Sequence, residues 1–407
     1  MEIEKEWIQI VKVGIDKITF HVPHHYVDMV ELAKARDIDP NKFLIGIGQE
    51  KMAVPTIEED IVAMAANAAN RIVTEEDKEL IDQVIFATES GFDFSKSAGT
   101  YIHQMLGIQP FAKAYEVKHA CYGGTAGLIS AFNYVKLNPE RKVLVIMSDI
   151  SRYGLNSGGE ATQGAGAIAM LVTANPRILS LDSETLSLTE NQFDFWRPSY
   201  AEVPYVQGKY STELYIEMFN TIIEEYAKRY PERLSDLQAI SFHLPFTKMG
   251  RKCLQSLENK EETNINPELV ERWFSHYQDS TFIGRQVGNV YTGSLYLSLM
   301  SLLNFDDNLE EGQRIGMFSY GSGAVAELFT GILQPGFKEN VSKEGTLLHL
   351  NRRVKLDIKA YEENFEKTLS NEDGVIEVVK DKETLHPGFY LDRIDDHRRY
   401  YNEITTK

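Results

Sequence analysis

The sequence predicts a mixed α/β protein built from two similar halves, and three observations carry that expectation. First, short apolar runs end abruptly in a titratable residue. Val84–Thr88 precedes Glu89, Val143–Ser148 precedes Asp149, and Ala239–Phe242 precedes His243. Such runs read as buried strands, and in open α/β sheets the carboxyl ends of strands line the ligand crevice. Second, stretches with apolar residues at helical spacing separate these runs, as over Glu58–Val73 and Thr212–Tyr230. Third, the text of the first half returns in order in the second. Val84–Glu89 matches Ala239–His243, and Tyr122–Leu128 matches Tyr291–Leu297 at an offset of 169 residues. Val143–Ser148 then matches Ile315–Ser319, and Gly164–Ala167 matches Gly321–Ala324 at an offset of 157. Constant order with shifting offsets indicates duplication with insertions, not a solenoid of short regular period. The expected halves are residues 1–175 and 176–407, with an insertion over 181–207 and a peripheral segment over 335–385.

Along the chain, Val11–Val22 alternates as strands do, and Met29–Asp37 reads as a short helix closed by the turn at Asp39–Phe43. Tyr101–Leu106 is helical, and Ala114–Val117 ends a strand. Lys142–Asp149 is a second buried strand, and Gly164–Val172 a third with small residues at its start. Leu181–Gln207 is aromatic and charged. Pro231 closes the helix that starts at Thr212, Glu362–Asp381 reads as an exposed excursion, and Gly388–Leu391 as the last strand.

The chain has 407 residues, of which 60 are acidic and 42 basic, giving a net charge of −18. That balance argues against nucleic acid and anionic membrane as partners, and any polyanionic ligand needs a local basic patch. Met1–Trp7 carries three glutamates and no apolar run, so it does not read as a secretory signal. No stretch reaches the roughly 18 apolar residues of a membrane span. Cys121 and Cys253 are the two cysteines, which supports neither a disulfide framework nor a cysteine-rich metal site. The expectation is a soluble cytoplasmic protein without a bound metal or cofactor.

The stretch Val117–Leu128 organises the rest. A strand ends at Val117 and a helix is expected to begin near Cys121, which would set a thiol beside a positive helix end and favour thiolate, the nucleophilic form. Gly123, Gly124 and Gly127 weaken the helix and permit close packing around the junction. Pooled with the strand ends, the candidates for one crevice are Glu89, Cys121, His243 and Asn289. A cysteine with a distant histidine is the pattern of a thiol nucleophile, although spacing alone does not establish contact.

The residues around these positions carry a resemblance. They are His119-Ala120-Cys121-Tyr122-Gly123-Gly124-Thr125, Ile45-Gly46-Ile47-Gly48-Gln49-Glu50-Lys51-Met52 and Phe193-Asp194-Phe195-Trp196-Arg197-Pro198. Phe242-His243-Leu244-Pro245-Phe246-Thr247-Lys248, Gly288-Asn289-Val290-Tyr291-Thr292-Gly293-Ser294 and Tyr320-Gly321-Ser322-Gly323 follow in the same order. Together they resemble the 3-hydroxy-3-methylglutaryl-CoA synthase family, most closely the shorter bacterial enzymes of the mevalonate pathway. The resemblance implies the thiolase-like fold, two halves in a layered αβαβα arrangement, and a homodimer. It also implies a condensation of acetyl-CoA with acetoacetyl-CoA and water, CoA thioesters being substrates rather than cofactors. By family position Cys121 carries the acetyl group, Glu89 is the general base, and His243 and Asn289 hold the acetoacetyl ketone. Asp39, Thr162, Ser211, Lys248, Lys252 and Ser322 fall on ligand-contact positions, with Arg251 beside the lysines and Lys42 in the loop of Asp39. Asp149, Asp194, Tyr291, Gly321 and Gly323 fall on supporting positions. His119 stands where the animal pattern has Asn, and the loop from Tyr153 to Thr162 differs, so contacts from Asn156 to Gly159 do not transfer. A ketoacyl-carrier-protein synthase III-like enzyme, a carrier-protein-dependent variant and an inactive CoA-binding scaffold are the alternatives; Glu89 speaks against the first.

Overall fold

The computed structural model describes residues 11–258, 265–369, 372–379 and 385–405. The reading of Met1–Trp7 lies outside the described residues. In the first half the main elements are β1 (Val13–His21), α1 (Ile61–Ala69), β2 (Ile81–Ala87), α2 (Gly99–Met105), β3 (Lys113–Val117), α3 (Gly123–Leu137), β4 (Lys142–Ser151) and β5 (Gly164–Ala174). The second half supplies β6 (Leu179–Thr189), α4 (Gly208–Arg229), β7 (Leu237–Phe242), α5 (Met249–Glu258), α6 (Pro267–Tyr277), α7 (Ser294–Phe305), β8 (Arg314–Gly321) and β9 (Val325–Leu333).

These strands run in the order β7-β8-β9-β6-β1-β5-β4-β2-β3. The order is symmetric about the β6–β1 junction, so β6 repeats β1, β9 repeats β5, β8 repeats β4 and β7 repeats β2. In both halves the inner pair is parallel (β2 with β4, β7 with β8) and the return strand antiparallel. The halves join where Gly14 opposes Ser180 and Ile15 opposes Leu179. A Cβ on Gly14 would lie 2.0 Å from the Leu179 carbonyl oxygen, so this crossing requires glycine.

Because parallel strands buried on both faces are apolar throughout, each sheet half can carry a helical layer on either side. α3 and α7 lie between the halves: Leu128, Phe132, Leu295 and Leu299 share one core with Ile85, Val145, Met317 and Phe329. On the outer face of the first half, Val62 of α1 and Ile102 of α2 pack with Val84 and Phe86. On the outer face of the second, Phe219, Leu254 and Trp273 of α4, α5 and α6 pack with Phe242 and Phe318. The result is the five-layer αβαβα arrangement.

Four sequence expectations need correction. Leu181–Gln207 is not one insertion, because Leu179–Thr189 is β6, an inner strand paired to β1 and β9. Its polar text disguised it; Asp182 is satisfied there by Arg314 and by Arg233 at 3.4 Å. The segment over 335–385 is not simply peripheral. Its strand Val354–Lys355 runs parallel to His25–Asp28 of the first half, and Tyr361, 1% exposed, sits among Val27, Met29 and Leu32. Within it, residues 370–371 and 380–384 lie outside the described residues. Gly388–Asp395 is not the last strand but pairs in a hairpin with Arg398–Ile404, held against α1 by two hydrogen bonds between Asn67 and the Phe389 backbone. Finally, the repeat slips in register. Gly164 opens β5 as Val325 opens β9, and Thr88 follows β2 as His243 follows β7, so His243 is the counterpart of Thr88 and not of Glu89.

The first half is fastened by Asp77, 1% exposed, which accepts from Lys17 Nζ of β1 at 2.6 Å, Lys142 Nζ of β4 at 2.7 Å and Thr74 N at 2.9 Å. Burial alone would raise its pKa; the two lysines and Thr74 overcome that and hold it well below the usual carboxylate range. A depressed carboxylate stabilises the fold above its unfolded-state pKa, and that contribution is lost as pH falls. Asp77→Ala should therefore cost about 3 kcal/mol, read as a lowered urea midpoint at pH 7. The loss should shrink in acid, and an unchanged midpoint would refute the assignment.

Candidate active site

Each candidate is delivered by a strand end or a helix start, where side chains leave the sheet toward the seam between the halves. Glu89 follows β2 and Asp149 lies near the end of β4. Cys121 sits two residues before α3, and Asn289 lies in the turn before α7. The helix begins at Gly123, later than expected, and Ala120 occupies the left-handed region with φ 40°. That conformation costs a non-glycine residue of order 1 kcal/mol and turns Cys121 out of the helical line. The glycines then explain themselves: a Cβ on Gly124 would lie 2.5 Å from the Thr292 carbonyl oxygen, so the starts of α3 and α7 can touch only because it is bare.

The half-buried Cys121 thiol donates to Glu89 Oε2 at 3.8 Å. Behind this pair Asp149, fully buried, organises the floor. Its Oδ1 accepts from Thr88 Oγ1 at 2.8 Å, Glu89 N at 2.9 Å, and Ser90 N and Oγ at 3.0 and 2.8 Å. Its Oδ2 accepts from Thr292 N at 3.1 Å and from the Thr292 hydroxyl. One carboxylate thus ties the Glu89 strand end of the first half to the α7 start of the second.

Asn289, 2% exposed, donates from Nδ2 to the Tyr153 hydroxyl at 3.0 Å, while its Oδ1 accepts from Tyr291 N and Ser294 Oγ. Tyr153 packs edge-on against Tyr291 and Phe195, at centroid distances of 6.1 and 6.0 Å. Sequence reasoning missed Tyr153; the signal was present, since it lies in the loop that leaves β4 just beyond Asp149. A second carboxylate, Asp194, is also fully buried. It accepts from Ser211 Oγ at 3.1 Å, the Tyr320 hydroxyl at 2.8 Å and Gly323 N at 3.0 Å, fixing the Gly321-Ser322-Gly323 turn. A Cβ on Gly321 would lie 2.6 Å from the Tyr122 amide nitrogen, so that turn lies directly against the residue after Cys121.

His243, 2% exposed, leaves β7 with its amide donating to Phe318 O, and its carbonyl accepts from Tyr215 at 2.6 Å. Thr162 backs Asn289 through its carbonyl at 3.3 Å, while its hydroxyl turns to Gly159 O. Asp39 Oδ1 accepts from the Asn41 amide at 2.9 Å, and further along the same loop Ile47 O accepts a hydrogen bond from the Lys248 amide at 3.2 Å. Lys248, Arg251 and Lys252 cluster around the start of α5.

The electrostatics differ from the sequence expectation. Burial, then Glu89 and Asp149, push the Cys121 thiol well above its ordinary value, so the resting group is a thiol and not the expected thiolate. The helix end is too far along the chain to prevail against two acids. Burial and then Asp149 likewise push Glu89 well up, with Arg197 opposing. Burial alone lowers His243 to about 3, so its imidazole is neutral at pH 7. A thiol within hydrogen-bond reach of a protonatable carboxyl is an arrangement able to supply a nucleophile and a base, and a neutral imidazole is one able to donate a hydrogen bond.

A thiol and a carboxylate at the seam of a duplicated five-layer fold define a thiolase-like, thiol-dependent condensing enzyme. Residues 9–177 match the hydroxymethylglutaryl-coenzyme A synthase N-terminal family, and 181–268 and 255–404 match its C-terminal family. The chain is 51% identical to a hydroxymethylglutaryl-CoA synthase from Enterococcus faecalis over 360 residues, 88% of this chain and 93% of the relative. It is 31% identical to a polyketide-biosynthesis 3-hydroxy-3-methylglutaryl-ACP synthase of Bacillus subtilis, covering 97% of this chain and 100% of the relative. Superposition on a crystal structure of an HMG-CoA synthase complexed with CoA gives a TM-score of 0.91 at 44% identity, covering 97% of this chain and all of the other. The chain belongs to the hydroxymethylglutaryl-CoA synthase family.

Proposed function

We propose that the chain condenses acetyl-CoA with acetoacetyl-CoA and water, giving 3-hydroxy-3-methylglutaryl-CoA and CoA for isoprenoid precursor synthesis, and that Cys121, Glu89 and His243 carry the chemistry. Cys121 takes the acetyl group as a thioester and CoA leaves as its thiol. Glu89 removes a proton from the acetyl methyl group. The enolate carbon attacks the ketone of acetoacetyl-CoA, forming the new carbon–carbon bond as the ketone oxygen becomes an alkoxide. His243, neutral at rest, donates a hydrogen bond to that oxygen, and the alkoxide takes up a proton to become the 3-hydroxyl, balancing the one that Glu89 removed and later releases. Water then cleaves the thioester to Cys121. The observation that carries this reading is the 3.8 Å contact between the thiol and Glu89, because an acetyl group on that sulfur would place its methyl within the carboxylate's reach.

The Cys121 amide with an N–H near Ser322 serves as the oxyanion site, at about 100- to 1000-fold in rate per donor. Asn289 holds the acetoacetyl group. Lys248, Arg251 and Lys252 take the CoA phosphates at the start of α5, where helix polarity adds to their charge; Asp39, Lys42, Thr162 and Ser211 complete the thioester contacts. A homodimer is supported by β3, which pairs only with β2 among the described residues and leaves a sheet edge open. Phe94 and Phe111, 92% and 91% exposed, flank that edge. A cytoplasmic setting accords with the acidic composition; among the described residues no helix is long and apolar enough to cross a membrane.

The test is mass spectrometry of the protein mixed with each substrate and with both. Glu89→Gln should still accumulate acetyl-Cys121 but lose condensation by about 10²- to 10⁴-fold. His243→Ala should also acetylate and stall at the acceptor step. Because Glu89 must be ionised to act, condensation should rise with pH through a midpoint above the ordinary carboxylate range. Acetylation without condensation in the unaltered protein would redirect the reading to a carrier-bound acceptor, and no acetylation would end it.

A further inference from the structure

Arg197 has no part in the mechanism above, yet it reaches the base directly. It lies in the excursion over 190–207 from the second half, three residues past Asp194, whose contacts to Ser211 and Tyr320 anchor that loop. From there its NH2 group donates to the main-chain carbonyl oxygen of Glu89 at 2.9 Å. That carbonyl is one residue beyond Thr88, and the adjoining amides of Glu89 and Ser90 already donate to Asp149. The backbone at the base is therefore held at its amides by a carboxylate of the first half and at its carbonyl by a guanidinium of the second.

We propose that Arg197 is a positioning residue for proton abstraction: it clamps the Glu89 main chain across the seam and sets a positive charge against the acids gathered around the thiol. The inference rests on Glu89 as the base. The titratable and charged groups facing Glu89 are Asp149 from β4, Cys121 from the start of α3, Tyr153 from the loop after β4, Tyr291 from the turn before α7, and Arg197. Asp149 opposes ionisation of Glu89 and Arg197 favours it. Arginine suits both duties, because its planar fork stays charged while one N–H is committed to a carbonyl. The side chain is solvent-exposed, so its pull is moderated by water but not abolished.

Two substitutions separate clamp from charge. Glutamine retains an N–H for the carbonyl and lacks the charge; lysine keeps the charge without the fork. Condensation would be followed against pH on enzyme already acetylated at Cys121, so that the first half-reaction does not limit. For Arg197→Gln the midpoint of the rising limb should move up by about one pH unit, and the rate on that limb, below the midpoint, fall about tenfold. Arg197→Lys should keep the midpoint within a few tenths of the unaltered enzyme. An unmoved midpoint in Arg197→Gln, whatever its rate, would overturn the electrostatic role, since a purely structural clamp changes the plateau and not the midpoint. Retention of condensation in Glu89→Gln would instead refute the assignment of the base, a separate failure with a separate readout.

Discussion

Changing Cys121 to Ala should abolish the acetyl-enzyme and reduce turnover by about 10⁴-fold or more, because a nucleophile acts with its partners as a unit and no other group inherits its bond. Cys253 offers no substitute. It is fully buried on α5, among the residues packed under the outer helices of the second half. The variant should remain folded, since alanine keeps the Cβ and removes one sulfur from a half-buried position; a melting temperature within a few degrees of the unaltered protein would show this. Cys121→Ser should be nearly as inactive, as a hydroxyl is harder to ionise among the same acids. The resting state makes a further demand. With burial and two carboxylates raising the thiol, the thiolate fraction at pH 7 is smaller than that of an ordinary exposed cysteine. Labelling by iodoacetamide should then be slow at pH 7 and accelerate as pH rises. Fast labelling at pH 7 would mean that the helix end prevails after all.

That contrast marks where the sequence was legible. The duplicated α/β architecture could be read because buried parallel strands announce themselves: Val84–Ala87 and Val143–Met147 have no polar residue to confuse the pattern. The strand-end rule singled out Glu89, Asp149 and His243 without any knowledge of contacts, and the structure joins the first two through the Glu89 amide. The family resemblance gave His243 and Asn289, already among the crevice candidates, their roles at the acetoacetyl ketone. β6 was illegible because its alternation of Leu with Asp, Ser and Thr looks like an exposed excursion unless Arg233 and Arg314 are known to meet Asp182. The return of residues 343–366 to the first half was equally hidden, since it depends on pairing with His25–Asp28 more than 300 positions away. The charge state of Cys121 failed for the same reason: a helix start is a local signal, whereas the acids that outweigh it come from two other strands. Local pattern finds elements; the sign of a field requires the neighbours.

Asp149 should be the substitution that most clearly joins stability to catalysis. It is fully buried and accepts six hydrogen bonds, from Thr88, Glu89, Ser90 and Thr292. Asp149→Ala leaves these donors without an acceptor in a dry site, at a cost of about 3–5 kcal/mol by the usual penalty for breaking a buried charged network. Asp149→Asn should cost less, because it retains one oxygen for the donors from Thr88, Glu89 and Ser90 while its amide opposes those from Thr292. Urea denaturation of both variants checks the order Ala below Asn below the unaltered protein. The Asn variant, if folded, makes the sharper test. It removes the acid that raises Glu89, so the pH midpoint of condensation should move down, opposite to the movement expected for Arg197→Gln. A lower midpoint with a lower plateau would mean that Asp149 supplies both base strength and aim, since without it Glu89 ionises more easily but is a weaker and less well-placed base. An unchanged midpoint would show that Asp149 reaches Glu89 only through its backbone, and its charge would then have no share in tuning the base.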